Sequence, residues 1–417
     1  MHKNVPEIRF KGFSGEWVEK ELGEITSKIG SGKTPKGGDS TYVLEGVPLI
    51  RSQNIYNNLV NLINVAYITP QTHEDMKNSS VFKNDVLLNI TGASIGRSAV
   101  YNFPSEANVN QHVCIVRLYE GYNSAFTQLH LTSTKGQQLI DNNQAGGARE
   151  GLNFQQIGRM NFSFTSTEEQ TKIGNTFQKL DSLINQHQKK HDKLSSIKKA
   201  MLERMFPIQG ETIPEIRFKG FSGEWEEKPL KKVASDITDG NWIESEHIFE
   251  SGEFRIIQTG NIGIGQYLDR PKHTKFFHQL NFDVVRGNEI YPGDILISRL
   301  AEPAGRAAIL PDTGYRMVTA VDVAIVRPES TFNSYFLMTL FNMDQTLKAV
   351  GEWVSGTSHK RISHANLVKV GVIIPCVEEQ TAIGNYFQKL DKLINQHQQQ
   401  ITKLNNVKQA CLSKMFV

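Results

Sequence analysis

Two rhythms of hydrophobic and polar positions run along the chain. The longer one begins at Ile173, where apolar residues and one histidine recur every seventh position as Ile173, Leu180, His187, Leu194 and Met201, with Leu183 and Ile197 on a second line. It returns as Ile383, Leu390, His397, Leu404 and Cys411, flanked by Leu393 and Val407. Heptad spacing of this kind marks helices that pair along a seam. Neither stretch contains proline, and Ser166 or Thr167 ahead of Glu168-Glu169 supplies a cap followed by acidic first-turn residues. The pattern predicts two coiled-coil helices of about five heptads each, rods on the order of 54 Å at ~1.5 Å per residue. His187 and His397 interrupt the apolar line as a register-setting polar layer does.

The shorter rhythm is that of strands. Apolar runs at 86–90, 113–118, 294–298 and 321–326 are bounded by Gly, Asn and Pro turns, and other helical periodicity is confined to 125–139 and 332–350. The segments 18–165 and 226–375 accordingly read as strand-rich α+β units.

A duplication orders these elements. Residues 6–17 and 214–225 carry the same letters, PEIRFKGFSGEW, and 168–188 matches 378–398 with three differences. Between these blocks only a skeleton survives. Asp85 and Asp294 each open a strand that is followed by a Gly-Arg pair, Gly96-Arg97 and Gly305-Arg306, and Arg51-Ser-Gln53-Asn54 is echoed by Gln258-Thr259-Gly-Asn261. The expectation is a pseudo-two-fold repeat in four consecutive segments: a globular domain at 1–165, a helix at 166–206, a second domain at 207–375 and a second helix at 376–417. A unit of ~150 residues is only about 40 Å across, and a short link joins the first helix to the second leader. The helices should therefore run antiparallel, with a unit at each end of the rod and the chain termini close together.

Composition narrows the class. The chain has 417 residues, 39% hydrophobic and 21% charged, which describes folded protein. No apolar run approaches the ~20 residues that span a bilayer, and the first residues do not form a secretory signal, so a cytoplasmic location is expected. Three cysteines are too few and too scattered for a disulfide framework or a CxxC-type zinc site. The net charge of +3 hides an uneven distribution. Residues 170–206 hold eight Lys/Arg against three Asp/Glu and 380–417 hold five against one, whereas 30–165 hold ten against nine and 230–375 fifteen against sixteen. Two helices with the same excess repel each other unless an anion lies alongside or the charges splay apart, and nucleic acid is the obvious anion.

Catalytic signatures are missing. Gly30-Ser-Gly-Lys33-Thr34 resembles the end of a phosphate-binding loop, but Ser27 stands where the first glycine belongs and Pro35 follows where a helix must begin. No two prolines are adjacent, which removes the NPPY motif an adenine methyltransferase uses, and no HExxH or GxSxG is present.

The order of variable unit, near-identical helix, variable unit, near-identical helix resembles the specificity subunit of Type I restriction-modification systems, often called HsdS. The likeness covers essentially the whole chain. It rests on the EEQxxIGxxFQKLDxLI helix openings, the PEIRFKGFSGEW leaders and the Gly-Arg turns, each present twice. The resemblance implies two target recognition domains, each reading half of a bipartite double-stranded DNA site, with the antiparallel coiled coil as a ruler. It implies no catalysis in this chain. Two methyltransferase subunits would bring S-adenosylmethionine and methylate adenine at N6, and restriction subunits would join through them with ATP and Mg²⁺.

Polar loop residues are the candidate readers: Lys33, Thr34, Lys36, Arg51, Gln53, Asn54, Arg97, Asn110, Gln111, His112 and Arg149 in the first unit. Their counterparts are Asn241, Trp242, Gln258, Thr259, Asn261, Arg299, Arg306, His359, Lys360 and Arg361 in the second. Arg97 and Arg306 have an alternative structural role, since they recur in units that should read different bases. The competing class is a non-enzymatic tandem-repeat scaffold that binds protein or glycan.

Overall fold

The computed structural model describes residues 4–144, 151–300, 303–356 and 360–416. By compactness the chain falls into two units: residues 1–189 with 397–417, and residues 190–396. Each unit thus takes a share of both long helices, which span Thr167–Met205 and Val377–Met415.

In unit 1 a sheet runs in the order Thr26–Ser31, Val113–Leu118, Val86–Asn89, Ser98–Val100, all neighbours antiparallel. A second sheet runs Ala66–Ile68, Val47–Ile50, Ala107–Val109, Ser80–Val81, and its central pair is parallel. The central strand of the first sheet, Val86–Asn89, is buried on both faces: Val86 and Leu88 join one core with Trp17 and Phe126, while Leu87 joins another with Ile50 and Val109. That explains a continuous apolar run in place of alternation. Unit 2 repeats these two sheets strand for strand. Its sheets run Ile237–Asp239, Val323–Val326, Ile295–Ser298, Ala307–Ile309 and Lys275–Phe277, Phe254–Ile257, Arg316–Thr319, Glu289–Ile290. The strands that follow Asp85 and Asp294 are therefore equivalent central strands, and both aspartates are buried at their heads.

The repeated letters build the joint between each unit and its helices. Arg9 donates to both carboxylate oxygens of Glu169, at 2.7 and 2.6 Å, and to the carbonyl of Gly15. Arg217 does the same with Glu379, at 2.8 and 2.5 Å, and with Gly223. Gln170 and Gln380 accept from the backbone N–H of Asn123 and Asn333, and these asparagines cap the helices Ser124–Thr132 and Ser334–Phe341. Gly174 and Gly384 admit those caps: a Cβ would stand 2.6 Å from Asn123 Oδ1 and 2.1 Å from Asn333 Oδ1. Hence in EEQxxIG the second Glu holds the leader, Gln and Gly hold the cap, and Ile enters the core.

Each leader also grips the end of a long helix. In unit 2 the Ile216 N–H donates to Arg204 O at 2.8 Å, and Trp225 meets Phe206 edge-on at 5.8 Å. In unit 1 the same places are taken by the end of the second helix: Ile8 N–H donates to Lys414 O at 2.9 Å, and Trp17 meets Phe416 at 6.1 Å. The two ends of the chain are thus in contact.

The long helices pair antiparallel within each unit. In unit 1 Asp181 bonds Lys408 at 2.5 Å and His187 Nδ1 lies 2.9 Å from His397 Nδ1, so one numbering rises as the other falls. In unit 2 Lys198 bonds Asp391 at 2.6 Å, and Leu194 and Met201 pack on the core that holds Ile383, Phe387 and Leu390. The heptad line divides between two tasks. Ile173 is buried in the core of unit 1, which Leu180 and Cys411 flank, and Leu404 is half-buried on the second helix. Leu183 and Val407, placed beside the seam by heptad counting, are each 43% exposed. The apolar faces follow the globular cores at both the openings and the far ends of the helices, so strict seven-residue spacing does not track them.

Candidate nucleic-acid interface

Hydrogen bonds draw the candidate loops of each unit together at one edge of its sheets. In unit 1 the Gly32 N–H donates to Asn110 O, Thr34 Oγ1 donates to Gln111 Oε1 at 2.6 Å, and His112 Nδ1 lies 2.6 Å from Thr91 Oγ1. Asn89 Nδ2 donates to Ser52 O, which ties the loop carrying Arg51 and Gln53 to the strand that leads to Arg97. In unit 2 Asn241 bridges to Ala320, Leu300 bridges to Arg361, and Arg306 donates to Thr259 O. The four loops that sequence spacing singled out thus meet in space in both units.

The individual side chains sort into fasteners and free groups. Asn54 and Asn261 are buried and do the same job: Oδ1 accepts from the N–H three residues earlier at 3.0 Å, and Nδ2 donates to Asn61 O or Leu268 O. Asn110 is likewise buried, accepting from the His112 N–H. Arg299 is buried, donating to Val321 O and pairing with Asp239 at 3.3 Å. Asn241 Oδ1 accepts from the Asn288 N–H at 2.6 Å.

Arg306 is half-buried in a cradle of four carbonyl oxygens, those of Thr259, Ile262, Leu300 and Pro303. Burial, with Arg270 close by, pulls its pKa below the ordinary guanidinium value. Arg97 occupies the corresponding place in sequence but is exposed, its guanidinium 5.6 Å from the Tyr56 ring. Recurrence of the Gly-Arg pair therefore hides two different surroundings.

Lys33, Lys36, Gln53 and Gln111 are exposed in unit 1, and Arg51 is half-buried over the Tyr42 ring at 5.5 Å. In unit 2 Trp242, Gln258, Lys360 and Arg361 are exposed; Trp242 donates to Glu244 at 2.7 Å and Arg361 to Asp322 at 3.2 Å. Arg149 and His359 lie outside the described residues. Sequence spacing missed the tyrosines under Arg51 and Arg97. It also missed the ion pairs of Asp85 with Arg117 and Asp294 with Arg327, although the aspartates stood out as strand openers. Burial raises the Asp294 pKa against the opposing pull of Arg327. Among the described residues no three His, Cys, Asp or Glu side chains gather as a metal site, and no helix is long and apolar enough to cross a membrane.

A family model described as the Type I restriction modification DNA specificity domain matches this chain twice, over residues 14–196 and 222–406. The chain belongs to this family. Two specificity subunits of type I restriction enzymes from Methanocaldococcus jannaschii are similar to it. The provisionally named MjaX subunit is 22% identical, covering 96% of this chain and 93% of its own length. The MjaVIII subunit is 21% identical, covering 60% and 59%. The crystal structure of a Type I restriction-modification S subunit from M. genitalium matches with a TM-score of 0.65 at 14% identity over 99% of each chain, a likeness of fold. In this Type I specificity family member each matched segment contains one cluster of polar loops and one long-helix opening.

Proposed function

We propose that this chain is the non-catalytic sequence reader of a Type I restriction-modification complex, each unit reading one half of an asymmetric bipartite DNA target. The observation that carries this reading is a constant scaffold with changed chemistry. Strand order is the same in both units, yet equivalent loop positions differ: Lys33 against Asn241, Thr34 against Trp242, Arg51 against Gln258, His112 against Asp322. Donors, acceptors and aromatic surface are what discriminate base edges, so a fixed frame with exchanged tips suits two different half-sites. The antiparallel helices would set the unread spacer, as half-site spacing is set in dimeric regulators. Their excess of lysine favours DNA or partner subunits alongside.

Two methyltransferase subunits, carrying S-adenosylmethionine, would dock on this chain and supply adenine N6 methylation. Restriction subunits would add ATP- and Mg²⁺-dependent cleavage, and the work would take place on DNA in the bacterial cytoplasm. The test is a map of N6-methyladenine in cells with and without the chain. A two-part motif that appears with it supports the reading, and removal of one heptad from both helices should shorten the gap while leaving both half-sites intact. An unchanged methylation map with no copurifying methyltransferase would transfer support to a protein- or glycan-binding scaffold.

A further inference from the structure

Arg270 was not among the loop residues marked by spacing, yet it lies against one of the unit 2 loops. The turn Thr259–Asn261 presents Gly260 toward it: a Cβ at 260 would stand 2.9 Å from Arg270 Nη1 and 3.4 Å from its Cζ. The guanidinium therefore rests against the turn backbone, and a side chain at 260 would push it aside. Its neighbour Asp269 is committed to Arg255. Arg306, close enough to lower its own pKa through Arg270, is held by carbonyl oxygens. Among the described residues no carboxylate forms an ion pair with either arginine. Two guanidinium groups thus share one corner, and the exposed one keeps its donors for a ligand.

Unit 1 offers the matching arrangement from a different point in the chain. There the exposed arginine is Arg97, beside Tyr56, just after the turn Ser52–Asn54. In unit 2 the residue equivalent to Arg97 is tied down, and Arg270 takes the surface position over the corresponding turn. Arg270 also begins a basic segment, with Lys272 and Lys275 exposed, that has no counterpart at 63–68 in unit 1.

Resting on the proposed DNA-reading role, we propose that Arg270 is a specificity-determining residue of unit 2, donating its planar fork to the O6 and N7 acceptors of a guanine in that unit's half-site. A fork packed against a backbone turn gives up part of its freedom before it meets a base, which favours bidentate pairing with guanine, whereas Lys272 and Lys275 suit phosphates.

The experiment replaces the chromosomal copy with Arg270→Gln, Arg270→Lys, Gly260→Ala or a Lys272→Ala/Lys275→Ala double variant, and maps methylated motifs in the otherwise complete native system. Arg270→Gln and Arg270→Lys should each relax one guanine position in one half-site by about 5- to 150-fold, with the other half-site and the gap retained. Gly260→Ala should relax the same position partially, because it displaces the fork while keeping the charge. The lysine pair should weaken methylation at all sites alike and reduce the salt dependence of DNA binding. If Arg270→Gln behaved as the lysine pair does, Arg270 would be a phosphate contact and the proposal would fail; an unchanged motif would equally overturn it. A wild-type system with no two-part motif would instead overturn the DNA-reading role itself. A melting curve followed through buried Trp225 separates these results from loss of fold.

Discussion

Glu379→Ala should unlock unit 2 while leaving the core of unit 1 intact. Glu379 is 1% exposed and receives two hydrogen bonds from Arg217, which is itself largely buried and raised in pKa chiefly by the bond to that carboxylate. Truncation leaves a buried guanidinium with only the Gly223 carbonyl opposite, and removing one partner of a buried pair costs about 3–5 kcal/mol. That is a large part of the 5–15 kcal/mol that holds a typical domain. Hydrogen exchange read peptide by peptide in rising urea is the appropriate assay. Protection should collapse first in the paired strands Glu226–Pro229 and Gly371–Ile374, while Val18–Glu21 and Asn161–Phe164 keep theirs. Glu169→Ala should give the mirror result. The Arg217→Ala/Glu379→Ala double variant should cost less than the sum of its singles by roughly 0.5–3 kcal/mol. A shift below about 1 kcal/mol for Glu379→Ala, or equal loss in both units, would refute the idea that the repeated Arg and Glu form the lock.

Other outcomes follow from the same comparison of units. His130 is buried among Trp17, Phe126, Phe162 and Phe416, and burial lowers its pKa to about 3 from an ordinary 6.5. The unfolded chain takes up the proton first, so this contribution to unit 1 is whole above pH 6.5 and is lost as pH falls toward 3, by about 2 kcal/mol at pH 5. His130→Leu, which copies Leu340 of unit 2, should flatten the melting temperature of unit 1 between pH 7 and 5; an unaltered slope would count against it. Gly384→Ala should destabilise unit 2 by about 1–3 kcal/mol, and by more than Gly174→Ala destabilises unit 1, since the closer approach is 2.1 Å against 2.6 Å; equal midpoints in denaturant would contradict the geometry. Asp181→Ala should cost about 3 kcal/mol by stranding Lys408, and Asp181→Leu/Lys408→Leu should recover most of it; no recovery in thermal melts would argue against a desolvation origin.

Much of the fold was legible because duplication supplies an internal alignment. Asp85 and Asp294, Asn54 and Asn261, and the two helix openings stand out as survivors between divergent surfaces, and each proves to hold backbone in place. That is also why the candidate readers were harder to distinguish. Arg299 and Asn54 are polar residues just beyond apolar strands, like true surface donors, and only burial separates a fastener from a free group. Arg270 escaped because the corresponding stretch of unit 1, residues 63–68, holds no basic residue, so the duplication gave it no echo. Leu183 and Val407 fit a heptad count yet are each 43% exposed, because the apolar faces of the helices are shared between the globular cores and each other.

Unit 2 is a continuous stretch of chain, residues 190–396, whereas unit 1 needs 397–417 to be complete. During synthesis the half made first must therefore wait, its Trp17 and Phe126 lacking the Phe416 ring until the second long helix has been translated. The half made second has all its parts earlier. Maturation then runs opposite to the usual order of vectorial folding, in which N-terminal domains settle first. A polypeptide that stopped before residue 397 would keep an open N-terminal core, a ready substrate for proteases. The second long helix thereby closes unit 1 only after unit 2 has been made.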